Sequence, residues 1–156
     1  MQTSQTVSLA TATALTKRSK RTWWRRIEQG VINRAEKESL FQTRISFFDV
    51  LPLISIPVIS EDLKVILRAD IGDADAQNDV GQMFSIAGKP KAALYWLEQA
   101  ARQDHPDAMQ WLGRCYVAGE GVPQDENLGI MWIAKAAAFG NLIAKCQMDA
   151  FKHNYR

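Results

Sequence analysis

A chain of 156 residues, 47% of them hydrophobic and 23% charged, has room for one domain or a small domain plus an arm, and is too apolar to stay unfolded throughout. Its formal net charge of +2 hides an asymmetry: residues 1–44 hold nine Lys/Arg against three Glu, giving +6, whereas residues 45–156 hold ten Lys/Arg against fourteen Asp/Glu, giving −4. A basic arm on a mildly acidic body describes this better than a basic protein. The only cysteines are Cys115 and Cys146, and no spacing among them, His105 and His153 matches a zinc site, so no metal or cofactor is expected. Both cysteines fall among apolar neighbours in helical segments and are read as small hydrophobes. Without a disulfide framework, a reducing compartment fits best, and the cytoplasm is expected.

Residues 1–21 read as a flexible basic tail. They are rich in Ser, Thr and Ala and lack helical apolar periodicity up to residue 18. The weakly apolar Val7–Leu15 precedes the basic cluster, the reverse of a secretory signal. The first 27 residues contain no acid, a composition that overlaps an organellar transit peptide, with the flexible tail the preferred reading.

Residues 22–44 read as a basic amphipathic helix, running from Thr22 to about Leu40. Trp24, Ile27, Val31 and Ala35 recur at spacings of three or four, with Arg25, Arg26, Gln29, Asn33, Glu36 and Lys37 between them. Its arginines oppose the helix dipole, which asks for another explanation, such as an anionic contact or solubility.

Residues 45–60 read as an extended linker or cap, because Pro52 and Pro57 interrupt the stretch. They also make it too short to span a bilayer. Ser60 then offers an N-cap, with Glu61 and Asp62 in the first turn, to a short helix ending near Ala69.

Residues 61–156 are expected to form a repeat domain. Ala76, Gly81 and Phe84 recur 32 positions later as Ala108, Gly113 and Tyr116; Trp96, Ala100 and Ala101 recur 36 positions later as Trp132, Ala136 and Ala137. The longer connection Gly119-Glu-Gly-Val-Pro-Gln-Asp125 accounts for the change of displacement. Asp73 or Asp75 can cap the first helix, and Gly88–Pro90 ends it. Partner helices are expected over about Lys91–Arg102 and Glu126–Phe139, with Pro106 in the first turn of the helix between them. A last helix from about Asn141 opens a third copy with Ala144 and Met148. That copy then fails, since Asp149 stands in the glycine position and Lys152 in the aromatic one. Val65, Ala69 and Gly72 suggest the end of a degenerate leading copy. Small residues at contact positions let helices approach closely, and aromatics fill the space between pairs.

The order Ala108, Leu112, Gly113, Tyr116, the Gly119–Asp125 loop, Trp132, Ala136, Ala137 and Gly140 resembles the Sel1-like repeat family, relatives of the tetratricopeptide repeats. The resemblance covers about Val65–Met148 and implies an all-α fold, a short right-handed α-solenoid of antiparallel helix pairs. Here the basic amphipathic helix would precede it. It also implies a scaffold or adaptor role in signalling or multiprotein assemblies. A secreted branch locks each helix pair with paired cysteines, and this chain has no cysteines at such positions.

No Gly-rich phosphate loop, nucleophile elbow or His-Glu zinc motif occurs, so an enzyme is not expected. Gly119–Gly121 reads as a tight turn and His105 as a cap or solvated residue. In a solenoid the first helix of each pair lines the concave side, which makes Asn78, Gln82, Gln110, Trp111 and Arg114 candidate contacts for a protein or peptide partner, beside Ser85 and Val117. The arm offers a second set: Lys20, Arg21, Trp23, Trp24, Arg25 and Arg26, following Lys17 and Arg18. Arginine beside indole can stack on single-stranded bases while neutralising phosphate, so nucleic acid is the alternative partner. The arm could equally dock on its own repeats. A membrane surface ranks behind these, and no small-molecule substrate is expected.

Overall fold

The structure, a computed structural model, describes residues 5–35 and 42–154, with Asn154 described by its backbone alone. It divides into two units, Met1–Leu63 and Lys64–Arg156.

In the first unit, β1 (Thr6–Ser8) pairs antiparallel with β2 (Arg44–Ser46), with Val7 opposite Ile45. Arg44 fixes this register by donating from Nε to Thr6 Oγ1 at 2.9 Å and from Nη2 to the Thr6 carbonyl at 2.7 Å. Helix α1 (Leu9–Leu15) follows at once, capped by Ser8, whose hydroxyl accepts from the Thr11 amide. Where a flexible tail was expected, Val7, Leu9, Thr11, Ala12, Leu15 and Thr16 are therefore buried. The threonines explain the difference. Thr13 and Thr16 donate their hydroxyls to the carbonyls of Leu9 and Ala12, both at 2.8 Å, so a polar residue enters the interior without an unmet donor.

Helix α2 (Lys20–Glu28) is capped by Ser19 and is shorter than the periodicity suggested. Gly30 adopts φ +67°, its amide donating to Ile27 O while the Val31 amide donates to Arg26 O. This left-handed turn closes the helix. Ala35 then donates to the Arg44 carbonyl in extended pairing, and the remainder of the expected helix, including Glu36, Lys37 and Leu40, lies outside the described residues.

The segment expected to be extended is mostly turned. Beyond β2 come one turn of helix, α3 (Phe47–Val50), and a 3-10 turn at Leu51–Leu53. Pro52 is accommodated because it sits at the start of that turn, where its missing amide has no partner to lose. A two-stranded sheet is thus added to an otherwise helical fold.

Helix α4 (Ser60–Asp70) leads from the first unit into the second, where α5 (Ala74–Ile86), α6 (Pro90–Ala101), α7 (Pro106–Ala118), α8 (Glu126–Ala138) and α9 (Leu142–Asn154) follow. Successive helices pack together, with the closest pairings α5 on α6 and α7 on α8. The reason is visible at the crossings. A Cβ built on Gly113 would lie 2.5 Å from Ile133 Cγ1 and 2.9 Å from the Gly129 carbonyl; one built on Gly129 would lie 2.5 Å from Val117 Cγ2. Gly81 meets Leu97 in the first pair at 2.7 Å. Glycine at these positions is what lets the backbones approach. The core of this unit includes Val80, Phe84, Trp96, Leu97, Met109 and Leu112.

The one long connection between these helices is specific. Gly121, at φ +78°, places the Gly119–Asp125 loop against the start of α6, where a Cβ would meet the Pro90 carbonyl carbon at 2.8 Å. Trp132 is only half-buried, unlike Trp96, and Lys135 Nζ sits 5.5 Å from its ring centre. Cys115 is buried as expected, and burial first, then Glu120, pushes its thiol above the usual range. Cys146 is exposed, contrary to the apolar setting expected, because α9 has no second helix over that face among the described residues. Asp149 lies on the same open side and forms a 3.5 Å pair with Lys152, so the glycine position needs no glycine.

Candidate functional site

The first helices of the repeats, α5, α7 and α9, are linked side by side by a recurring device at their N-termini. Asp73, His105 and Asn141 occupy equivalent positions and cap these helices, accepting from the amides of Ala76 (2.9 Å), Ala108 (3.3 Å) and Ala144 (2.7 Å). The later two caps also reach back to an acid on the preceding first helix. His105 Nε2 lies 3.1 Å from Asp75 Oδ1, and Asn141 Nδ2 donates to Asp107 Oδ1 at 2.6 Å. The cap uses Nδ1 of His105 as acceptor, which assigns the proton to Nε2 and makes His105 the donor to Asp75. Asp75 and Asp107 are themselves equivalent, so one hydrogen bond per step ties each first helix to the next. His105 is thus a structural cap. A second link, from Gln103 Nε2 to the Gly72 carbonyl at 2.9 Å and to Gln77 Oε1 at 2.8 Å, ties α4 into the same stack.

This stacking sorts the five groove candidates. Asn78 and Gln110 are 5% and 4% exposed, so they face the interior and are not free contacts. Gln110 donates to Gln147 Oε1 across α7 and α9 at 3.4 Å, whereas the Oδ1 of Asn78 has no partner among the described residues. The register accounts for that orphan, since Trp111 stands in the first step where Gln147 stands in the second. Gln82 is half-buried on α5. Trp111 and Arg114 are brought together: the Arg114 guanidinium lies 4.6 Å from the centre of the Trp111 ring, with Arg114 exposed and Trp111 half-buried. No carboxylate pairs with Arg114 among the described residues.

Beside this pair opens a cavity of about 460 Å³. Arg114, Val117 and Ala118 of α7 form one wall, Ile133 of α8 the floor, and Gln147, Ala150 and Phe151 of α9 the other wall. Of these only Arg114 and Val117 stood out in the sequence. The signal for the rest was register: Ala118 replaces Ile86 of the first copy, and Ala150 stands where the second copy has Arg114. Small residues at those positions leave the space open.

Two adjacent units with the same caps, the same glycine crossings and the same small-residue register stand on residues that the family model "Sel1 repeat" matches at 74–105 and 106–141. The family model finds two adjacent Sel1 repeats in this segment. The leading copy suggested by Val65, Ala69 and Gly72, and the partial copy in α9, lie outside that match. The chain is also similar to a solved structure, the Sel1 repeat protein from Oxalobacter formigenes, at 31% identity; the match covers 51% of this chain and 34% of that one, with a TM-score of 0.48. Comparison with curated proteins gives no significant match. Sel1 repeats are typically protein-interaction scaffolds and generally non-catalytic.

The basic arm divides as well. Lys20, Arg21, Trp24 and Arg25 share the exposed face of α2, Trp24 at 41% exposure, and no carboxylate pairs with them among the described residues. Arg26 is half-buried. Trp23 is fully buried, its Nε1 without a partner among the described residues, so it holds α2 in place and offers no ring to a ligand. Among the described residues no helix is long and apolar enough to cross a membrane, and no cluster of three or more His, Cys, Asp or Glu could hold a metal.

Proposed function

We propose that this protein is a non-catalytic scaffold or adaptor that binds a protein partner, as an exposed peptide or helix, along the first-helix face of its repeats. The observation that supports this most is the Arg114–Trp111 stack on that face, an exposed cation held over an aromatic ring beside an open apolar cavity. Arg and Trp are the residue types that dominate binding energy when they meet a partner. Gln82 completes the polar fringe, and regulation through the bound partner follows from such a role. A reducing compartment, the cytoplasm, suits the unpaired Cys115 and Cys146.

The test is affinity purification with the full chain and with Trp111→Ala/Arg114→Ala, nuclease-treated in parallel. Partners that resist nuclease and disappear with the double variant support the groove. Partners indifferent to the variant count against it.

A second reading rests on the α2 face. Lys20, Arg21 and Arg25 around an exposed Trp24 present cations unpaired among the described residues and one indole, a combination that suits single-stranded nucleic acid. One exposed indole on a nine-residue helix is little apolar surface for anchoring to a membrane. Titrating a labelled single-stranded oligonucleotide at rising salt tests it: a steep loss of affinity with salt, reduced further in Arg21→Ala/Arg25→Ala, supports this reading, and flat weak binding overturns it.

A further inference from the structure

The cavity between α7 and α9 differs from the rest of its face in charge as well as in shape. On α5 and α7 the exposed residues include Asp75, Asp79 and Asp107, and the only cation in either helix is Arg114. A carboxylate on a bound segment is therefore repelled along the N-terminal half of α5 and α7 and meets their one cation at Arg114. Arg114 stands at the lip of an apolar cavity and is its only charged lining residue among the described residues.

Resting on the groove reading above, we propose that this cavity takes one bulky apolar side chain of a bound peptide, and that Arg114 holds a carboxylate one or two residues away from it. The volume of about 460 Å³ sits toward the lower end of the roughly 300–1,000 Å³ found for ligand pockets. Val117, Ala118, Ile133, Ala150 and Phe151 supply an apolar lining, while Gln147 is already engaged by Gln110. With so few free polar groups, the cavity cannot fix a polar small molecule in one orientation, but it suits a hydrocarbon side chain entering from the groove. The stack on Trp111 limits the wandering of the Arg114 side chain, so less conformational freedom is lost when it meets a planar carboxylate.

A random peptide library displayed on phage, selected against the full-length chain, reads the preference directly. Enriched peptides should carry Phe, Leu, Ile or Met with Asp or Glu one or two residues away. One enriched peptide, synthesised with a fluorophore, is then titrated by anisotropy. Ala150→Trp, which fills the cavity from an exposed position, should weaken binding roughly tenfold or more. Arg114→Glu should reverse the charge preference, so that the peptide with Lys in place of its acid binds the variant better than the original does. Circular dichroism melts matching those of the wild type show that both variants are folded. Peptides that lose affinity in Trp111→Ala but ignore Ala150→Trp and Arg114→Glu would overturn the cavity assignment and leave the groove intact. Failure to enrich any peptide would overturn both.

Discussion

The two units of this chain solve the same problem, burying a small core, by different means. The repeat unit applies one rule several times: a cap at Asp73, His105 and Asn141, a glycine crossing at Gly81 and Gly113, and small residues where helices touch. The leading unit has no such recurrence. It closes through pairing between distant residues, Thr6 with Ser46 and Thr16 with Ile54, and through threonines that satisfy themselves inside the helix they interrupt. What differs is where the information lies: within a short window in one case, between positions far apart in the other.

The largest effect that sharpens this comparison is expected in the leading unit, at two adjacent tryptophans. Trp23→Ala removes a fully buried indole and should cost about 3–5 kcal/mol. Trp24→Ala removes an exposed one and should stay within roughly 0.5 kcal/mol of wild type. Thermal denaturation measures both, and hydrogen exchange should place the loss of protection from Trp23→Ala within residues 5–35. Equal effects at the two sites would break the distinction between an anchoring ring and a displayed one.

In the repeat unit the corresponding test is Gly113→Leu. Its Cβ would collide with Ile133 Cγ1 at 2.5 Å and with the Gly129 carbonyl at 2.9 Å, and backbone gives way less readily than a side-chain end. The expected cost is about 3 kcal/mol, the upper part of the range for overpacking. An unchanged melting temperature would mean that α7 and α8 do not cross where these glycines meet.

How far the molecule was legible follows the same division. Repeat register alone located α5 to α8 and the turn at Gly119–Asp125, because each is a local signal stated twice, and it narrowed the first cap to Asp73 or Asp75, of which the structure uses Asp73. It also marked Trp111 and Arg114. It misjudged Asn78 and Gln110, since an outward position on one helix becomes an inward one once the next first helix is stacked beside it. The step-to-step bonds from His105 to Asp75 and from Asn141 to Asp107 were available in the register but required knowing which helices are neighbours. In the leading unit, the Ser/Thr/Ala-rich residues 1–21 read as a flexible tail although Thr11 and Thr16 are buried, and the helical spacing ran on past Gly30, whose left-handed turn closes α2. The helical spacing placed Trp24 and Val31 on the apolar stripe, whereas the structure buries Trp23 and leaves Trp24 and Val31 exposed, because spacing alone does not say which side of α2 meets the rest of its unit.

A smaller effect tests the step-to-step bonds. Asn141→Ala removes both the cap on α9 and the bond to Asp107, and should cost about 1–2 kcal/mol, at or above the usual value of a cap. Asp107→Ala in the same background should add little if the two residues act through each other. Full additivity in the double-mutant cycle would show that the bond between first helices contributes nothing beyond the cap.

The smallest effect is one of pH, at the first cap. The amide of Ala76 first, then Arg68, donate to the Asp73 carboxylate and hold its pKa below the ordinary value. A carboxyl with a depressed folded pKa stabilises the fold fully above its unfolded pKa, where it is ionised in both states. That contribution is lost as pH falls through the depressed folded value, because the unfolded chain takes up the proton first. Asp73→Asn installs at this cap the residue that the molecule already uses at Asn141, and removes the titrating group. It should leave capping at neutral pH largely in place while forfeiting the bonds from Arg68, and should flatten the fall in melting temperature between neutral and acid conditions. Because Asp73 and Arg68 are both partly in solvent, added salt should shrink the difference between variant and wild type. An acid limb identical in the two proteins would mean that the first cap works through its geometry alone, as the uncharged cap at Asn141 must.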